Sequence, residues 1–359
     1  MIRPIKSTFF TAISVVVLWG CASSPPLIKA SYDGDVVRVK ELLKNGVDVN
    51  MKGGSWGETA INAAARQGHL DTVKKLLESG ADVNLSTKYG GTPLTGATWK
   101  CHHDIALMLI SHGANVNVQN QSFGSTPLML AADCNDTQVI KQLLVNGADV
   151  SIKNNDGDNA LMAASRKGYK EIVKILLEHG ANVNEPGWGN QTALYQAAEK
   201  GHTSTVAVLL ANGARVNTKM DASCDRAYYR CRPTTNWTAL MIAAAEGHTQ
   251  TVKLLLGKGA DPNAINEYGR TALMFSAKYG YTEIVKSLLE YGADPNIVPT
   301  DDSGATALIA SSAEGHFDVV KLLLESNADA KIIDKHGKTA LMWAEKHNFD
   351  SIIQLLRKK

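Results

Sequence analysis

The stretch "TALMIAAAEGHTQTVKLLLGKGADPN", residues 238–263, decides the fold. Leu240, Ile242, Ala243 and Ala244 lie on one apolar face, and Val252, Leu255 and Leu256 on another. Within each set the spacing is that of an amphipathic helix. Gly247 and His248 separate the sets, and Gly259 closes the second. Glycine takes the left-handed backbone that ends a helix without the clash a Cβ meets there. The stretch therefore reads as helix, turn, helix, stop, followed by a short extended "ADPN". Neither helix is long enough to bury its apolar face alone.

The stretch recurs. Copies start at Thr59, Thr92, Thr126, Asn159, Thr192, Thr271, Thr306 and Thr339, and a worn copy starts at Pro25, "PPLIKASYDGDVVRVKELLKNGVDVN". That makes ten units, with steps of 34, 33, 34, 33, 33, 46, 33, 35 and 33 residues. Leu or Ile stands two residues after each start, from Leu27 through Ile61 to Leu341. Ala or Ser stands five after, as at Ala64, Ala131, Ala243 and Ser276, and Leu stands seventeen after in every unit, from Leu42 to Leu356. The glycine stop recurs at Gly46, Gly80, Gly113, Gly147, Gly180, Gly213, Gly259 and Gly292, with Asn327 in its place once. A fixed period of this length is the signature of stacked units that share one continuous core. The expectation is one elongated all-helical domain over residues 25–359.

The repeated words "TPLT", "TPLM" and "TALM", followed by "AAARQGH" or "AAAEGH", resemble the ankyrin repeat. The resemblance covers about residues 25–359. It implies an ankyrin-repeat solenoid of stacked helix pairs with β-hairpin fingers projecting from one edge. The family's fourth motif position is usually His. Here it is Ile28, Asn62, Thr95, Met129, Met162, Tyr195, Met241, Met274, Ile309 or Met342. Apolar packing is expected to stand in for that histidine's hydrogen bonds.

Residues 1–20 are different in kind. "MIRPIK" is cationic and "FFTAISVVVLW" is an apolar run too short to span a bilayer but right for a signal-peptide core. The run leads into "LWGC", which resembles the bacterial lipobox. That resemblance implies cleavage before Cys21, lipidation of Cys21 and, with Ala22 and Ser23 following, an envelope location at the outer membrane facing the periplasm. An ordinary signal peptide and an uncleaved anchor are the alternatives. Residues 21–24 then form a short tether. The chain carries 37 basic against 35 acidic residues. Loss of residues 1–20 would remove Arg3 and Lys6 and leave 35 of each. This balance gives no basic face for nucleic acid.

Export changes how the cysteines read. Beyond Cys21 there are four, Cys101, Cys134, Cys224 and Cys231, an even number that suggests two disulfides in an oxidising compartment. Cys224 and Cys231 sit together in an insertion at about residues 218–234. Cys101 takes the inter-helix glycine position of its unit, and Cys134 lies one residue before that position in the next. Stacked helices are roughly 8–10 Å apart, whereas bridged Cα atoms lie under about 7 Å apart. A Cys101–Cys134 bridge therefore requires the two turns to lean together.

No catalytic constellation emerges. "CHHD", residues 101–104, could suggest a metal or a Cys/His nucleophile, but His102 occupies a recurrent turn position shared with His69, His202, His248 and His316. No phosphate loop, paired-carboxylate set or Ser/His/Asp pattern stands out. No cofactor, metal site or catalytic residue is expected, and the chain is not expected to be an enzyme.

Binding has more to stand on. The finger-tip position, commonly Asp in the family, holds Trp56, Tyr89, Phe123, Asp156, Tyr268, Ser303 and His336, with Trp188 displaced by one. Exposed aromatics dominate interfaces; the competing reading folds each ring onto the neighbouring finger. The first-helix face beside the fingers adds Arg66, Trp99, Arg166, Lys167 and Lys200, then Ile242, Phe275 and Trp343. The insertion contributes Arg226, Tyr228, Tyr229 and Arg230, with Trp237 at its end. The expected function is a non-enzymatic, envelope-anchored scaffold that binds another protein as a monomer, touching the membrane only through its lipid. An inhibitor or immunity protein that blocks a toxin or envelope enzyme is the alternative. A host-directed effector and a hydrolase have less support.

Overall fold

The computed structural model describes residues 24–220 and 236–359, and the backbone of 223–225 and 230–232. The signal segment, Cys21, Arg226, Tyr228 and Tyr229 lie outside the described residues, as do the side chains of Cys224, Arg230 and Cys231. The chain divides into two compact units, residues 1–155 and 156–359.

The first unit stacks helix pairs. These are α1 (Pro26–Asp33) and α2 (Val36–Lys44), α3 (Ala60–Gln67) and α4 (Leu70–Glu78), α5 (Pro93–Trp99) and α6 (His103–Ser111), and α7 (Pro127–Asp133) and α8 (Thr137–Val145). Within it α1, α3, α5 and α7 pack in sequence, as do α2, α4, α6 and α8. The second unit repeats the scheme with α9 (Ala160–Lys167), α10 (Lys170–Glu178), α11 (Ala193–Glu199), α12 (Thr203–Ala211), α13 (Ala239–Ala245), α14 (Thr249–Gly257), α15 (Ala272–Lys278), α16 (Thr282–Glu290), α17 (Ala307–Glu314), α18 (Phe317–Glu325), α19 (Ala340–Lys346) and α20 (Asp350–Leu356). Each unit is an all-helical repeat solenoid.

The repeat starts are helix caps. Thr59, Thr92, Thr126, Asn159, Thr192, Thr238, Thr271, Thr306 and Thr339 each accept a hydrogen bond from the backbone N–H three residues on. Such a cap satisfies a donor that the helix cannot, and is worth about 1 kcal/mol. The leucines seventeen residues after the starts are all buried, and the Ala/Ser column is buried with them. Small residues there let first helices approach across the stack.

The fourth motif position corrects one expectation. Met129, Met162, Met241 and Met274 are buried as apolar filler. Asn62 and Thr95 are not filler: Thr59 N–H donates to Asn62 Oδ1 at 3.1 Å and Thr92 N–H to Thr95 Oγ1 at 2.8 Å. A side-chain acceptor three residues into the helix closes a capping box, so polar bonding survives in these two repeats.

The fingers are tighter than regular hairpins. Most close through one backbone bond, such as Thr87 N–H to Gly91 O at 2.8 Å, and Gly53 and Glu58 form an isolated bridge. A second clamp binds successive repeats where the extended "ADVN" pieces lie. Asn50, Asn84 and Asn117 each donate to the helix-ending glycine carbonyl of the next repeat and accept from a backbone N–H two residues further on. Asn184, Asn217 and Asn263 do the same in the second unit. In the insertion, β1 (Ser223–Asp225) pairs antiparallel with β2 (Arg230–Arg232), which sets Cys224 directly opposite Cys231 along the backbone. Met220 and Trp237 bridge at its base, and Thr238 resumes the repeat as the cap of α13.

Candidate functional site

In the first unit the finger tips are tied into a row. Trp56 O accepts from Lys88 N–H at 2.9 Å, Tyr89 O from Gln121 N–H at 2.8 Å and Phe123 O from Asn155 N–H at 2.9 Å. Each tip aromatic is thereby fixed to the finger after it, one repeat along. Lys52 Nζ reaches Ser86 O at 2.7 Å and Lys88 Nζ reaches Ser55 O at 3.3 Å, adding cross-finger ties.

Trp56, Tyr89 and Phe123 line one open groove of about 420 Å3, together with Trp99 at the end of α5. Phe123 is 62% exposed, Tyr89 55% and Trp99 49%. These three rings do not fold away against neighbouring fingers. Trp56 is half-buried, and the Arg66 guanidinium lies 5.2 Å from its ring centre. Arg66 also lies 5.7 Å from the Tyr32 ring and pairs with Glu58 at 3.0 Å. Both partners are largely shielded from solvent, so the guanidinium is held by a carboxylate and two aromatic contacts.

The floor is made by missing side chains. Gly91 and Gly96 both line the groove, and Gly96 lies inside α5. A helix-interior glycine costs about 1 kcal/mol relative to alanine. Here its bare backbone faces Arg66, whose Cβ would lie 3.4 Å from an added Cβ. Larger residues stand at the same column in other repeats, including Leu130, Gln196, Ile242, Phe275 and Trp343. The sequence reading named the aromatics and Arg66 but missed Gly91, Gly96 and Glu58. The available signal was a glycine breaking a helical pattern at a position where its cousins carry side chains.

The second unit keeps the corresponding ion pair, Arg166 with Asp158, and Asp158 also accepts from Gln196 Nε2 at 3.0 Å. It lacks the aromatic row. Trp188 stands 42% exposed on a short 3-10 turn, and Tyr268 is half-buried with its carbonyl taken by Thr300 N–H at 2.8 Å. Ile242 and Phe275, expected to present a surface, are buried. Phe275 packs against Trp237 with ring centres 4.5 Å apart, which takes both rings out of a simple docking role. Lys200 lies beside Glu199, Nζ to Oε1 3.6 Å, and Lys167 belongs to the last turn of α9.

A second groove, about 280 Å3, is lined by Arg270, Lys278, His336 and Trp343 among others. Trp343 Nε1 donates to the buried Asp334 carboxylate at 2.7 Å, and Lys338 and Lys346 each sit 4.5 Å from the Trp343 ring centre. Burial alone would raise the Asp334 pKa, but hydrogen bonds from Lys338 N–H, Trp343 and His336 N–H outweigh it and hold the carboxyl below its ordinary 3.8. A depressed carboxylate stabilises the fold above its unfolded value, and that contribution is lost as pH falls through the folded one. Asp334→Asn should therefore lower the melting temperature at neutral pH, with the gap to the parent narrowing as pH drops below 3.8. A gap of constant size across that range would remove Asp334 from the acid response.

Three of the four "CHHD" residues have a structural partner. Cys101 Sγ is bonded to Cys134 Sγ, with the Cα atoms 5.6 Å apart. His102 Nε2 lies 3.2 Å from Arg66 O, and His103 Nδ1 lies 2.8 Å from Asp136 Oδ2. His69, His202, His248 and His316 make the same kind of contact with a carbonyl of the preceding repeat. Among the described residues no cluster of His, Cys, Asp and Glu has the geometry to hold a metal ion, and no helix is long and apolar enough to cross a membrane.

A family model described as ankyrin repeats (3 copies) matches residues 27–120, 121–220, 222–299 and 297–359. No curated protein matches the chain.

Proposed function

The chain belongs to the ankyrin-repeat family, whose members generally mediate protein–protein interaction, and from that premise we propose that it is a non-enzymatic scaffold that holds a protein partner at the bacterial cell envelope. The observation that carries this reading is the groove of the first unit, where Trp56, Tyr89, Trp99 and Phe123 meet over a floor of Gly91 and Gly96. Aromatic side chains bring large contact area at little entropic cost, and they anchor interfaces when clustered. A photo-crosslinking residue at position 89 should capture a partner in envelope extract, and Trp99→Ala should reduce that capture about tenfold or more. Capture that survives Trp99→Ala and Phe123→Ala but is lost in Tyr228→Ala and Tyr229→Ala would move the binding surface to the insertion.

Envelope anchoring rests on "LWGC" after an apolar run. Cys21→Ser should transfer the protein from the membrane fraction to the soluble one and change its electrophoretic mobility. Unchanged fractionation and mobility would rule out a lipid at Cys21. In an oxidising envelope the bond between Cys101 and Cys134 would persist.

A further inference from the structure

We infer that the groove of the first unit takes an acidic, proline-rich polypeptide segment in the polyproline II conformation. The inference rests on the scaffold reading above and names the chemistry of its partner.

The first argument is spacing. Trp56, Tyr89 and Phe123 hold the same finger-tip position in consecutive repeats, and backbone bonds lock each tip to the next finger. Packed helices lie roughly 8–10 Å apart, which sets about that interval between equivalent positions of stacked repeats. Polyproline II has three residues per turn and rises about 3.1 Å per residue, so equivalent side chains recur about every 9.3 Å. A segment with proline at every third position therefore presents one ring to each aromatic without adjusting either partner. An α-helical ligand brings side chains to one face about every 5.4 Å, so every second one would have no aromatic to meet.

The second argument is complementarity of polar groups and charge. A polyproline II backbone makes no internal hydrogen bonds, and proline supplies carbonyls without N–H groups. The groove offers donors of the matching kind, the indole N–H groups of Trp56 and Trp99 and the phenol of Tyr89. Its only lining carboxylate, Glu58, is already paired with Arg66. Lys52 and Lys88 bond backbone carbonyls, and Lys100 lies 4.3 Å over the Trp99 ring. Lys52 and Lys88 line a neighbouring pocket; Lys100, over the ring of the groove-lining Trp99, has no carboxylate partner among the described residues and sets a cation at the groove's rim. Aspartate or glutamate beside the prolines would meet that rim.

The test uses the full mature chain and fluorescence anisotropy with a labelled Pro-Pro-Glu repeat peptide. A Gly-Ser-Glu repeat of equal length and charge, a Pro-Pro-Lys repeat and chitohexaose serve as comparisons. The Pro-Pro-Glu peptide should bind about tenfold or more tightly than either other peptide, and Trp99→Ala should weaken it about tenfold. Gly96→Leu, which fills the floor while raising helix propensity, should abolish binding with the circular dichroism spectrum unchanged. Equal binding of the two acidic peptides would reduce the site to a charged surface and overturn the inference. Chitohexaose binding in place of the peptide, lost on Trp99→Ala, would overturn it in favour of a glycan groove. No binding of any proline peptide, alongside groove-dependent crosslinking to an envelope protein, would sink the inference and leave the scaffold reading standing. Loss of both would end both.

Discussion

Breaking the bond between Cys101 and Cys134 is expected to lower the stability of the first unit by about 3–4 kcal/mol, because it releases a loop of 33 residues in the unfolded chain. In a stack of repeats stability is a sum of local and nearest-neighbour terms, so the loss should fall on the repeats that the bond joins. Two substitutions separate the cross-link from its backbone consequences. Cys101 takes a φ of 59°, a left-handed conformation that most of its cousins fill with glycine and two, Asn135 and Asn348, with asparagine. A side chain there costs roughly 1–2 kcal/mol. Cys134→Ser loses the bond and keeps that strain. Cys101→Gly loses the bond and relieves it, so it should cost about 1–2 kcal/mol less than Cys134→Ser. Urea unfolding followed by circular dichroism, with and without reductant, reads all three. The parent should weaken in reductant and neither variant should respond. A parent indifferent to reductant, unfolding together with both variants, would show that the bond contributes nothing.

The helix pairs were legible because their signals are local. Apolar spacing, a Thr cap and a glycine stop lie within one repeat, and each reports on the backbone a few residues away. The candidate groove was legible only in part, because it is made between repeats. Tyr89 and Phe123 stood out as aromatics at tips, yet what exposes them is the backbone bonding from finger to finger and the bare floor at Gly91 and Gly96. Glu58 was missed because its partner Arg66 lies eight residues on within the same repeat, outside the three- and four-residue spacing at which helix pairs are read. Phe275 failed for a different reason. Its column is buried in most repeats, and Trp237, delivered by the end of the insertion, packs against it here. A residue outside the repeat register changed the environment of one inside it, and period alone carries no trace of that.

Gly168→Ala should cost about 3 kcal/mol, combining left-handed strain with the displacement of a hydrogen-bonded ring. Gly168 has a φ of 77°, and an added Cβ would lie 2.5 Å from His202 Nδ1. The ring cannot move freely, because His202 Nε2 holds Arg166 O at 3.1 Å. The arrangement recurs: a Cβ on Gly34, Gly201 or Gly280 would strike His69, His248 or His316, and one on Gly247 or Gly315 would strike Tyr281 or Phe349. Each turn glycine is thus a seat for the ring ten residues after the next repeat's start. Cys101 is the instructive departure. It puts a side chain on that seat, and the next repeat carries Asp136 in place of a ring, with its carboxylate on His103. Glycine with a ring and cysteine without one are two solutions to the same space. A double-mutant cycle separates strain from collision. With His202 replaced by alanine, Gly168→Ala should cost only the strain, about 1–2 kcal/mol. The two substitutions should therefore couple by about 1–2 kcal/mol, within the range for residues in contact. Equal costs for Gly168→Ala with and without the His202 side chain would mean that the ring does not define the seat, and that glycine recurs there for its backbone alone.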